Sequence, residues 1–263
     1  MNTRDTSDTS WQKVADWYKD VPKQEESYHN LVIIPNVIDK LNKFVKLDGH
    51  PDVEGTVVDI ACGEGTITNK IKLAGFKPIG MDLSQDLVNN ARHEYPDIHF
   101  VKEDARNISD GFIKSVQGCD AVICVLALQN IDDIESVIKN VSDILSDGGI
   151  FVAVLNHPYF RIPKVTRWDF EGFEKQNRVI EKYLSDQKFS ILAHPGSEKS
   201  AETYSYHRPL EEYIKVFNKF GLALIDMDEL ISTKTSEQGK RAEAENTARK
   251  EIPLFMTLVA RKV

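Results

Sequence analysis

The sequence predicts an α/β protein built around a doubly wound, mostly parallel sheet. Between residues 53 and 154, short apolar runs alternate with amphipathic segments, which is the pattern of βαβ units. With 263 residues, of which 41% are hydrophobic and 28% charged, the chain suits one large domain or a domain with a cap. The first apolar run ends in an acid followed by two closely spaced glycines, a sequence expected where a strand turns toward a ligand.

Local patterns place the individual strands and helices of this fold. The predicted strands of the first part are Thr56–Ile60, Lys77–Asp82, Ile98–Lys102, Asp120–Leu126 and Gly149–Leu155. The predicted helices between them are Thr66–Ala74, Gln85–Glu94, Phe112–Val116 and Ile134–Leu145. Asp147-Gly148-Gly149 is predicted to turn into the fifth strand. A helix at Pro209–Phe220 and strands at Leu222–Leu230 and Pro253–Lys262 complete the pattern.

Two segments lie outside the repeating pattern. The N-terminal segment is predicted to be helical, because Trp11, Val14 and Tyr18 recur near helical spacing. About 50 residues, from His157 to Arg208, follow the fifth strand, and this is too long for an ordinary connection. Such an excursion usually forms a lid or a specificity element. We therefore interpret the chain as one domain with four parts: an N-terminal helical cap (1–50), a cofactor-binding core (53–156), a lid or substrate insertion (157–208) and the C-terminal part of the sheet (209–263).

Charge and cysteine content restrict the partners. A net charge of −8 and a pI near 5.4 leave no general basic surface, which argues against a nucleic acid substrate. Cys62, Cys119 and Cys124 include no C-x-x-C pair, which indicates a reducing compartment and no metal site. No apolar run approaches the ~18 residues of a membrane span, and Met1–Ser10 is polar. The sequence predicts a cytoplasmic protein without a membrane span and makes no prediction of its oligomeric state.

The segment Val57–Thr66 raises the question of which ligand it binds. A dinucleotide loop requires a third glycine, but Gly63 and Gly65 are followed by Thr68 at that position. Asp59 would repel a pyrophosphate, whereas beside an ammonium group it gains a charge-assisted hydrogen bond of roughly 1.5–3 kcal/mol. A cationic ligand with a nucleoside half fits better, and S-adenosylmethionine is such a ligand.

Two more acids end the next two strands. Asp82 could accept hydrogen bonds from both ribose hydroxyls, which either kind of cofactor would need. Asp104 could accept from an adenine amino group, with Ala105 leaving room for the ring. Any one of these acids could instead cap a helix or begin a turn. Three acids at three successive strand ends, however, indicate one shared ligand.

Four segments in this order resemble the class I S-adenosylmethionine-dependent methyltransferases: Val57–Thr66, Gly80–Ser84, Glu103–Ala105 and Cys119–Asp133. The resemblance covers about residues 53–156. It implies a three-layer fold with a seven-stranded sheet whose last strand is antiparallel, and it implies S-adenosylmethionine as the cofactor. By this resemblance Asp59, Gly63 and Gly65 line the methionine end, Asp82 holds the ribose, and Asp104 and Ala105 border the adenine.

The same resemblance gives a wider set of candidate cofactor-binding residues. Leu126 would close over the ligand, and Ala61 replaces the family's usual first glycine, which is tolerable if its φ is negative. The N-terminal segment is expected to fold over the pocket and contribute two tyrosines. The candidates are Asp59, Ala61, Cys62, Gly63, Gly65, Asp82, Leu83, Asp104, Ala105, Leu126, Tyr18 and Tyr28.

Methyl transfer requires few catalytic side chains, because the protein must chiefly align donor and acceptor. A base is needed only if the acceptor carries a proton that must leave. His157 lies just beyond the fifth strand, His207 precedes the next helix, and His29 is available if the N-terminal helices cover the pocket. For each of them a purely structural role is the more common one. Arg161 could meet a substrate carboxylate, and it completes the set of candidate catalytic residues.

The sequence therefore predicts an S-adenosylmethionine-dependent methyltransferase that acts on an oxygen or nitrogen of a small molecule. Two alternatives remain open at this level. One is methylation of a protein or RNA, and the other is a non-catalytic protein that binds S-adenosylmethionine for regulation.

Overall fold

The computed structural model describes residues 26–45, 54–192 and 202–263 of the chain. Within these ranges the strands are β1 Thr56–Ile60, β2 Lys77–Asp82, β3 His99–Lys102, β4 Cys119–Val125, β5 Leu145–Asn156, β6 Thr166–Glu171, β7 Lys175–Ile180, β8 Gln187–Leu192, β9 Glu202–His207, β10 Leu222–Leu230 and β11 Phe255–Lys262. The helices are α1 Ile34–Phe44, α2 Thr66–Leu73, α3 Gln85–Glu94, α4 Asp110–Val116, α5 Ile134–Ile144, α6 Leu210–Lys219 and α7 Ala242–Glu251. A π-helical turn, His29–Ile33, precedes α1, and a 3₁₀ turn, Leu128–Asn130, follows β4.

Seven strands form the central sheet in the order β10-β11-β5-β4-β1-β2-β3. Four pairs of neighbouring strands are parallel: β1 with β2, β1 with β4, β2 with β3, and β4 with β5. Strand β11 runs antiparallel to both of its neighbours, β5 and β10. This arrangement confirms the predicted doubly wound sheet of seven strands with an antiparallel last strand. Because β1 lies between β4 and β2, and β3 lies beside β2, the carboxyl ends of these four parallel strands open side by side at one edge.

The alternation of apolar residues along the strands builds two cores, one on each face of the sheet. In β5, Phe151, Ala153 and Leu155 belong to one core, whereas Val152 and Val154 belong to the other. Helices α4, α5 and α6 cover the first face, and α1 and α2 cover the second. Strands that are buried on both faces have continuous apolar sequences. For this reason the bounds of these strands could be predicted closely from the sequence.

The fifth strand is longer than predicted. Cys119 of β4 pairs with Leu145, and Ala121 pairs with Ile150, so the segment from Ser146 to Gly149 bulges out within β5. Gly148 has a positive φ of 80° in this bulge. The predicted turn is therefore present as an irregularity inside the strand.

The insertion after β5 consists of two antiparallel hairpins in the described residues. One is formed by β6 and β7, and the other by β8 and β9. The charged run at 234–249 contains α7, whose Ala244 and Ala248 are buried. This helix packs against β7.

The N-terminal part of the described chain is anchored to the sheet. Ile33, Val37 and Leu41 are fully buried and recur every four residues, so one side of α1 packs on the second core. The helix predicted around Trp11 and Tyr18 lies outside the described residues.

No helix in the part of the chain that the structure describes is long and apolar enough to cross a membrane. In the same part, no group of three or more His, Cys, Asp or Glu side chains could hold a metal ion.

Candidate active site

A cavity of about 490 Å³ opens at the carboxyl ends of the central strands. One part of its wall comes from the segments that follow β1, β2 and β3. The other part comes from the segments that follow β4 and β5 and from the β8–β9 hairpin. The residues that line it are His29, Ala61, Gly63, Met81, Asp82, Leu83, Leu87, Glu103, Asp104, Ala105, Arg106, Val125, Leu126, Ala127, Gln129, Asn130, Ile131, Asp132, Asn156, Pro163, Ile191, Thr203, Tyr204, Ser205 and Tyr206.

The loop after β1 has an unusual backbone that glycine explains only in part. Gly63 and Gly65 have φ angles of 58° and 79°, and Ala61 also has a positive φ, 57°. The condition of a negative φ at Ala61 is therefore not met, and this alanine adopts a conformation that costs of order 1–3 kcal/mol. A Cβ at Gly65 would lie 2.5 Å from the Phe100 ring, whereas one at Gly63 would meet nothing within 4 Å. Gly65 is required by packing, and Gly63 leaves open space beside the cavity.

Asp59 lies beneath this loop and does not reach the cavity surface. It is 2% exposed, and Thr68 Oγ1 donates a hydrogen bond to its Oδ2 at 2.6 Å. Burial raises the pKa of Asp59 to about 7, the Thr68 hydrogen bond opposes the shift, and the nearby Asp82 carboxylate adds to it. Thr68, which takes the place of the third glycine of a dinucleotide-binding loop, thus serves here as the hydrogen-bond partner of the buried Asp59.

Two other predicted cofactor residues also lie behind the loop. Cys62 is half-buried, and its Sγ is 3.7 Å from the Gly63 carbonyl oxygen. Burial raises the pKa of this thiol, so it stays protonated and packs as a small apolar group. Together with Gly65, it shapes the loop without lining the cavity.

Asp82 reaches the cavity and organises the loops around it. Its Oδ2 accepts from the Gly63 N–H at 2.9 Å, and its Oδ1 accepts from the Ser84 N–H at 2.8 Å. Burial raises the pKa of this carboxyl, and the backbone hydrogen bonds oppose the shift. Each carboxylate oxygen can accept more than one hydrogen bond, so Asp82 keeps acceptor capacity toward the cavity.

Asp104, the acid after β3, forms hydrogen bonds with Arg106, a residue that was not predicted from the sequence. Arg106 Nε donates to Asp104 Oδ1 at 3.0 Å, and Arg106 Nη2 donates to Oδ2 at 2.7 Å. Arg106 Nη1 donates to Asp132 Oδ1, which follows β4, at 3.0 Å. The local sequence Asp104-Ala105-Arg106 was the available signal, since a cation two residues from an acid can fold back onto it.

The backbone after β4 also turns sharply at the cavity. Leu126 lines the cavity with a φ of 54°, and its carbonyl accepts from Gln129 Nε2 at 2.7 Å and Asn130 Nδ2 at 3.2 Å. Both amides line the cavity although neither was singled out beforehand. Polar residues just beyond the carboxyl end of a parallel strand were the signal for them.

The structure separates the four candidate catalytic residues. His29 lines the cavity and is 8% exposed, and burial lowers its pKa. His157, His207 and Arg161 do not line the cavity.

The protein itself engages the two histidines that lie away from the cavity. His157 is fully buried; its Nε2 lies 3.0 Å from Glu229 Oε1, and its Nδ1 accepts from the Tyr159 N–H at 3.3 Å. His207 Nε2 donates to the Tyr183 carbonyl at 2.6 Å. These contacts give both histidines structural roles and leave no ring nitrogen of His157 for a substrate.

The remaining two predicted side chains also pack elsewhere. The Arg161 guanidinium carbon lies 4.8 Å from the Phe255 ring centre, and burial lowers its pKa. Tyr28 packs edge-on against the same phenylalanine, and its hydroxyl lies 3.1 Å from Ser232 Oγ. Tyr18 lies outside the described residues.

The β8–β9 hairpin contributes a wall that the sequence located only as part of a long insertion. Ile191 of β8 and the run from Thr203 to Tyr206 of β9 line the cavity. β9 packs against the 3₁₀ turn that follows β4. The long excursion thus reaches the cavity, although through Pro163 and its second hairpin rather than through His157 and Arg161.

Comparison with known proteins agrees with this architecture. A family model described as "Methyltransferase domain" matches residues 57–149. The Bacillus subtilis protein described as "Putative methyltransferase YqeM" is 25% identical over 207 residues, which cover 72% of this chain and 82% of the relative.

Other relatives match more narrowly. A ubiquinone biosynthesis O-methyltransferase of Coxiella burnetii is 23% identical over 53% of this chain and 58% of its own length. The corresponding enzyme of Methylococcus capsulatus is 27% identical over 42% of this chain and 48% of its own length. The match therefore spans about half the length of these enzymes.

Solved structures share the fold. An S-adenosylmethionine-dependent methyltransferase from Mesorhizobium loti has a TM-score of 0.63 at 23% identity and covers 87% of this chain and 99% of its own. The glycopeptide N-methyltransferase MtfA, solved with S-adenosylmethionine, has a TM-score of 0.54 at 14% identity and covers 85% of this chain and 92% of its own. Strand order, motif order and the matched domain agree: residues 57–149 match a methyltransferase domain, and the chain has the fold of these S-adenosylmethionine-dependent methyltransferases.

Proposed function

We propose that this methyltransferase modifies an oxygen or nitrogen of a small molecule that binds between the β4 and β5 ends and the β8–β9 hairpin. The observation that carries the proposal is the continuity of the cavity. It runs from Asp82 and Asp104, at the β2 and β3 ends, to Asn156, at the β5 end, and to the hairpin. One cavity can thus hold the cofactor and a second small ligand together.

The residues present fit S-adenosylmethionine. Asp82 has acceptor capacity suited to a ribose hydroxyl, and the open space at Gly63 admits the methionine end. Ala105 offers a small side chain beside the adenine position. When bound, S-adenosylmethionine supplies an electrophilic methyl group on a cationic sulfur. Asp59, beneath the loop, would favour the positive end of this ligand through its charge.

Because the ribose and adenine positions lie at β2 and β3, the acceptor would occupy the other side of β1. The strand order places β4 and β5 on that side. Gln129, Asn130 and Asn156 offer hydrogen-bonding groups there, and Ile191 and Tyr206 offer apolar surface. A small molecule with a polar reacting group and an apolar body matches this lining.

His29 is the candidate general base. Burial lowers its pKa, so the ring is neutral near pH 7 and can accept a proton from a hydroxyl or amine as the new bond forms. It lies at the cavity wall, as a base that contacts the acceptor must.

The relatives support a small-molecule acceptor. Two of them are described as ubiquinone biosynthesis O-methyltransferases, which act in the formation of a small molecule. The net charge of −8 and the acids at the cavity argue against a polyanionic substrate.

The proposal is tested by transfer of a labelled methyl group from S-adenosylmethionine. The acceptors would be a panel of phenols, catechols and amines, with total RNA and a protein mixture in parallel. We expect label in a small-molecule product, and Asp82→Ala should abolish it while the exposed-site control Asp97→Ala retains it. Label confined to RNA or protein would overturn the proposed acceptor class, as would the absence of label in every small molecule.

A further inference from the structure

The ion pair of Arg106 joins two loops across the cavity. Its guanidinium contacts Asp104, which follows β3, and Asp132, which follows β4. All three residues line the cavity. Arg106 therefore joins the β3 and β4 loops on the side of the cavity where the resemblance places the adenine of the cofactor.

Arg106 connects two loops, and the backbone of each loop accepts hydrogen bonds from a side chain elsewhere in the protein. Asn140 of α5 donates from Nδ2 to the Ala105 carbonyl at 2.9 Å. On the other side, Arg208 Nη2 donates to the Ile131 and Asp132 carbonyls at 2.9 and 2.6 Å. Arg106 thus adds a side-chain connection between loops whose backbones are already held.

The ion pairs of Arg106 with Asp104 and Asp132 are expected to contribute little to the stability of the fold. The side chains of Arg106, Asp104 and Asp132 are 31%, 19% and 43% exposed, and ion pairs at such sites contribute little to stability. The geometry of the pair of Arg106 with Asp104 is nevertheless specific, because a planar guanidinium that binds two oxygens of one carboxylate fixes the plane of that carboxylate.

Counting acceptor positions on Asp104 shows what this fixed plane leaves for a ligand. A carboxylate has about four lone-pair positions. The Arg106 backbone N–H donates to Oδ1 at 2.9 Å, the Nε–H is shared between Oδ1 at 3.0 Å and Oδ2 at 3.2 Å, and Nη2 donates to Oδ2 at 2.7 Å. These three N–H groups leave acceptor capacity for one further donor.

We propose that Arg106 is a positioning residue for base selectivity: it clamps Asp104 so that the one remaining acceptor position receives the exocyclic amino group of adenine. A charged carboxylate accepts hydrogen bonds and donates none, so it favours a 6-amino group and repels a 6-oxo group. The inference rests on the assignment of Asp104 to the adenine side of the cavity.

Calorimetry with S-adenosylhomocysteine and its 6-oxo analogue, S-inosylhomocysteine, tests the inference without requiring turnover. We expect the wild-type protein to bind the amino compound at least ~10-fold more tightly, the scale of one charge-assisted hydrogen bond. Arg106→Gln should reduce this ratio to below ~3-fold, mainly by weakening the amino compound. Arg106→Lys, which keeps the charge and loses the planar fork, should also reduce it.

Controls separate positioning from folding. Arg167→Gln removes an arginine that pairs with Glu181 on the exposed β6–β7 hairpin, and it should leave the ratio unchanged. If Arg106→Gln fails to fold, Arg106→Lys and Asp132→Asn carry the test.

Three results would overturn the inference: equal loss of affinity for both ligands in the Arg106 variants, an unchanged ratio in them, or a wild-type protein that does not discriminate. The last result, with S-adenosylhomocysteine still bound, would refute the Asp104 assignment and leave the methyltransferase function intact.

Discussion

At the scale of single residues, position relative to the cavity distinguishes the histidines. His157, first in chain order after the fifth strand, is enclosed by Glu229 and the Tyr159 backbone. Burial lowers the pKa of both His157 and His29, but of these two only His29 lines the cavity. Local sequence could name both, but the contact that occupies His157 joins residues 72 positions apart, which no local pattern reveals.

Replacing His29 by Ala should lower kcat/KM with a hydroxyl acceptor by at least ~10²-fold, the usual scale for a general base. Affinity for S-adenosylhomocysteine should change by less than ~3-fold, because His29 is assigned to the acceptor. The acid limb of the pH–rate profile should disappear in the variant. Steady-state kinetics across pH and calorimetry measure these effects.

His157→Ala provides the comparison for His29. It should lower the thermal midpoint, because the fully buried His157 ring and its hydrogen bond with Glu229 are lost, while kcat per folded molecule stays within a few-fold of the wild type. Normal turnover by His29→Ala would refute its role as the base.

At the scale of elements, the β8–β9 hairpin forms part of the cavity wall that we assign to the acceptor. It follows the first hairpin of the insertion and brings Ile191, Tyr204 and Tyr206 to the cavity. The sequence predicted a lid from the length of the insertion alone. The two hairpins could not be separated beforehand, because their pairing depends on contacts between strands rather than on residue type.

Removing the outer part of this hairpin should separate cofactor binding from methyl transfer. Lys188 and Tyr206 are paired across the hairpin, so an Asn-Gly turn can join them in place of residues 189–205. Affinity for S-adenosylhomocysteine should stay within ~3-fold, whereas turnover should fall by at least ~10²-fold, because the acceptor loses its wall. Calorimetry and single-turnover methyl transfer give the two readouts.

The first hairpin offers a matched control. Phe170 and Gln176 are paired, and the same turn can replace residues 171–175. This hairpin does not line the cavity, so the shortened control should keep both activities. Full turnover without the β8–β9 hairpin would show that the acceptor binds elsewhere.

At the scale of the whole molecule, a cluster of charged side chains connects helix α1 to β10, the edge strand of the sheet. Lys40 of α1 is 3% exposed, and its Nζ lies 3.1 Å from Asp226 and 2.5 Å from Asp228, both on β10. Burial alone would lower the pKa of Lys40, but hydrogen bonds to the two carboxylates outweigh it and raise it. The cluster holds the helix that leads out of the His29 turn.

Lys40→Met should lower the free energy of unfolding at pH 7 by about 1–3 kcal/mol, because two carboxylates lose a charged partner. Hydrogen bonds from Lys43 and then Lys40 lower the pKa of Asp226 to about 2. A carboxyl group whose pKa is lowered in the folded protein stabilises the fold at pH values above its ordinary pKa, which is near 4. This contribution to stability disappears as the pH falls toward 2. Denaturant unfolding at pH 7 and pH 3 should therefore show a smaller difference between variant and wild type at pH 3.

The surface pair of Lys139 with Asp143 on α5 serves as the control for Lys40. Both members are well exposed, so Lys139→Met should change stability by less than ~1 kcal/mol. An effect of Lys40→Met no larger than that of this control would contradict the anchoring role.

The sequence by itself determined the strands of the sheet, the edge of the sheet at which the cavity opens and the cofactor. Apolar runs, the Gly63 and Gly65 loop, and acids such as Asp82 at strand ends are local features that the chain carries before it folds. Only the tertiary structure decided that His29 rather than His157 faces the cavity and that Arg106 clamps Asp104 to the loop after β4. The physical reason is that a side chain's role depends on which distant groups desolvate it and occupy its hydrogen-bonding positions. These groups come from other parts of the chain and meet only when the sheet, the insertion and the N-terminal helix pack together.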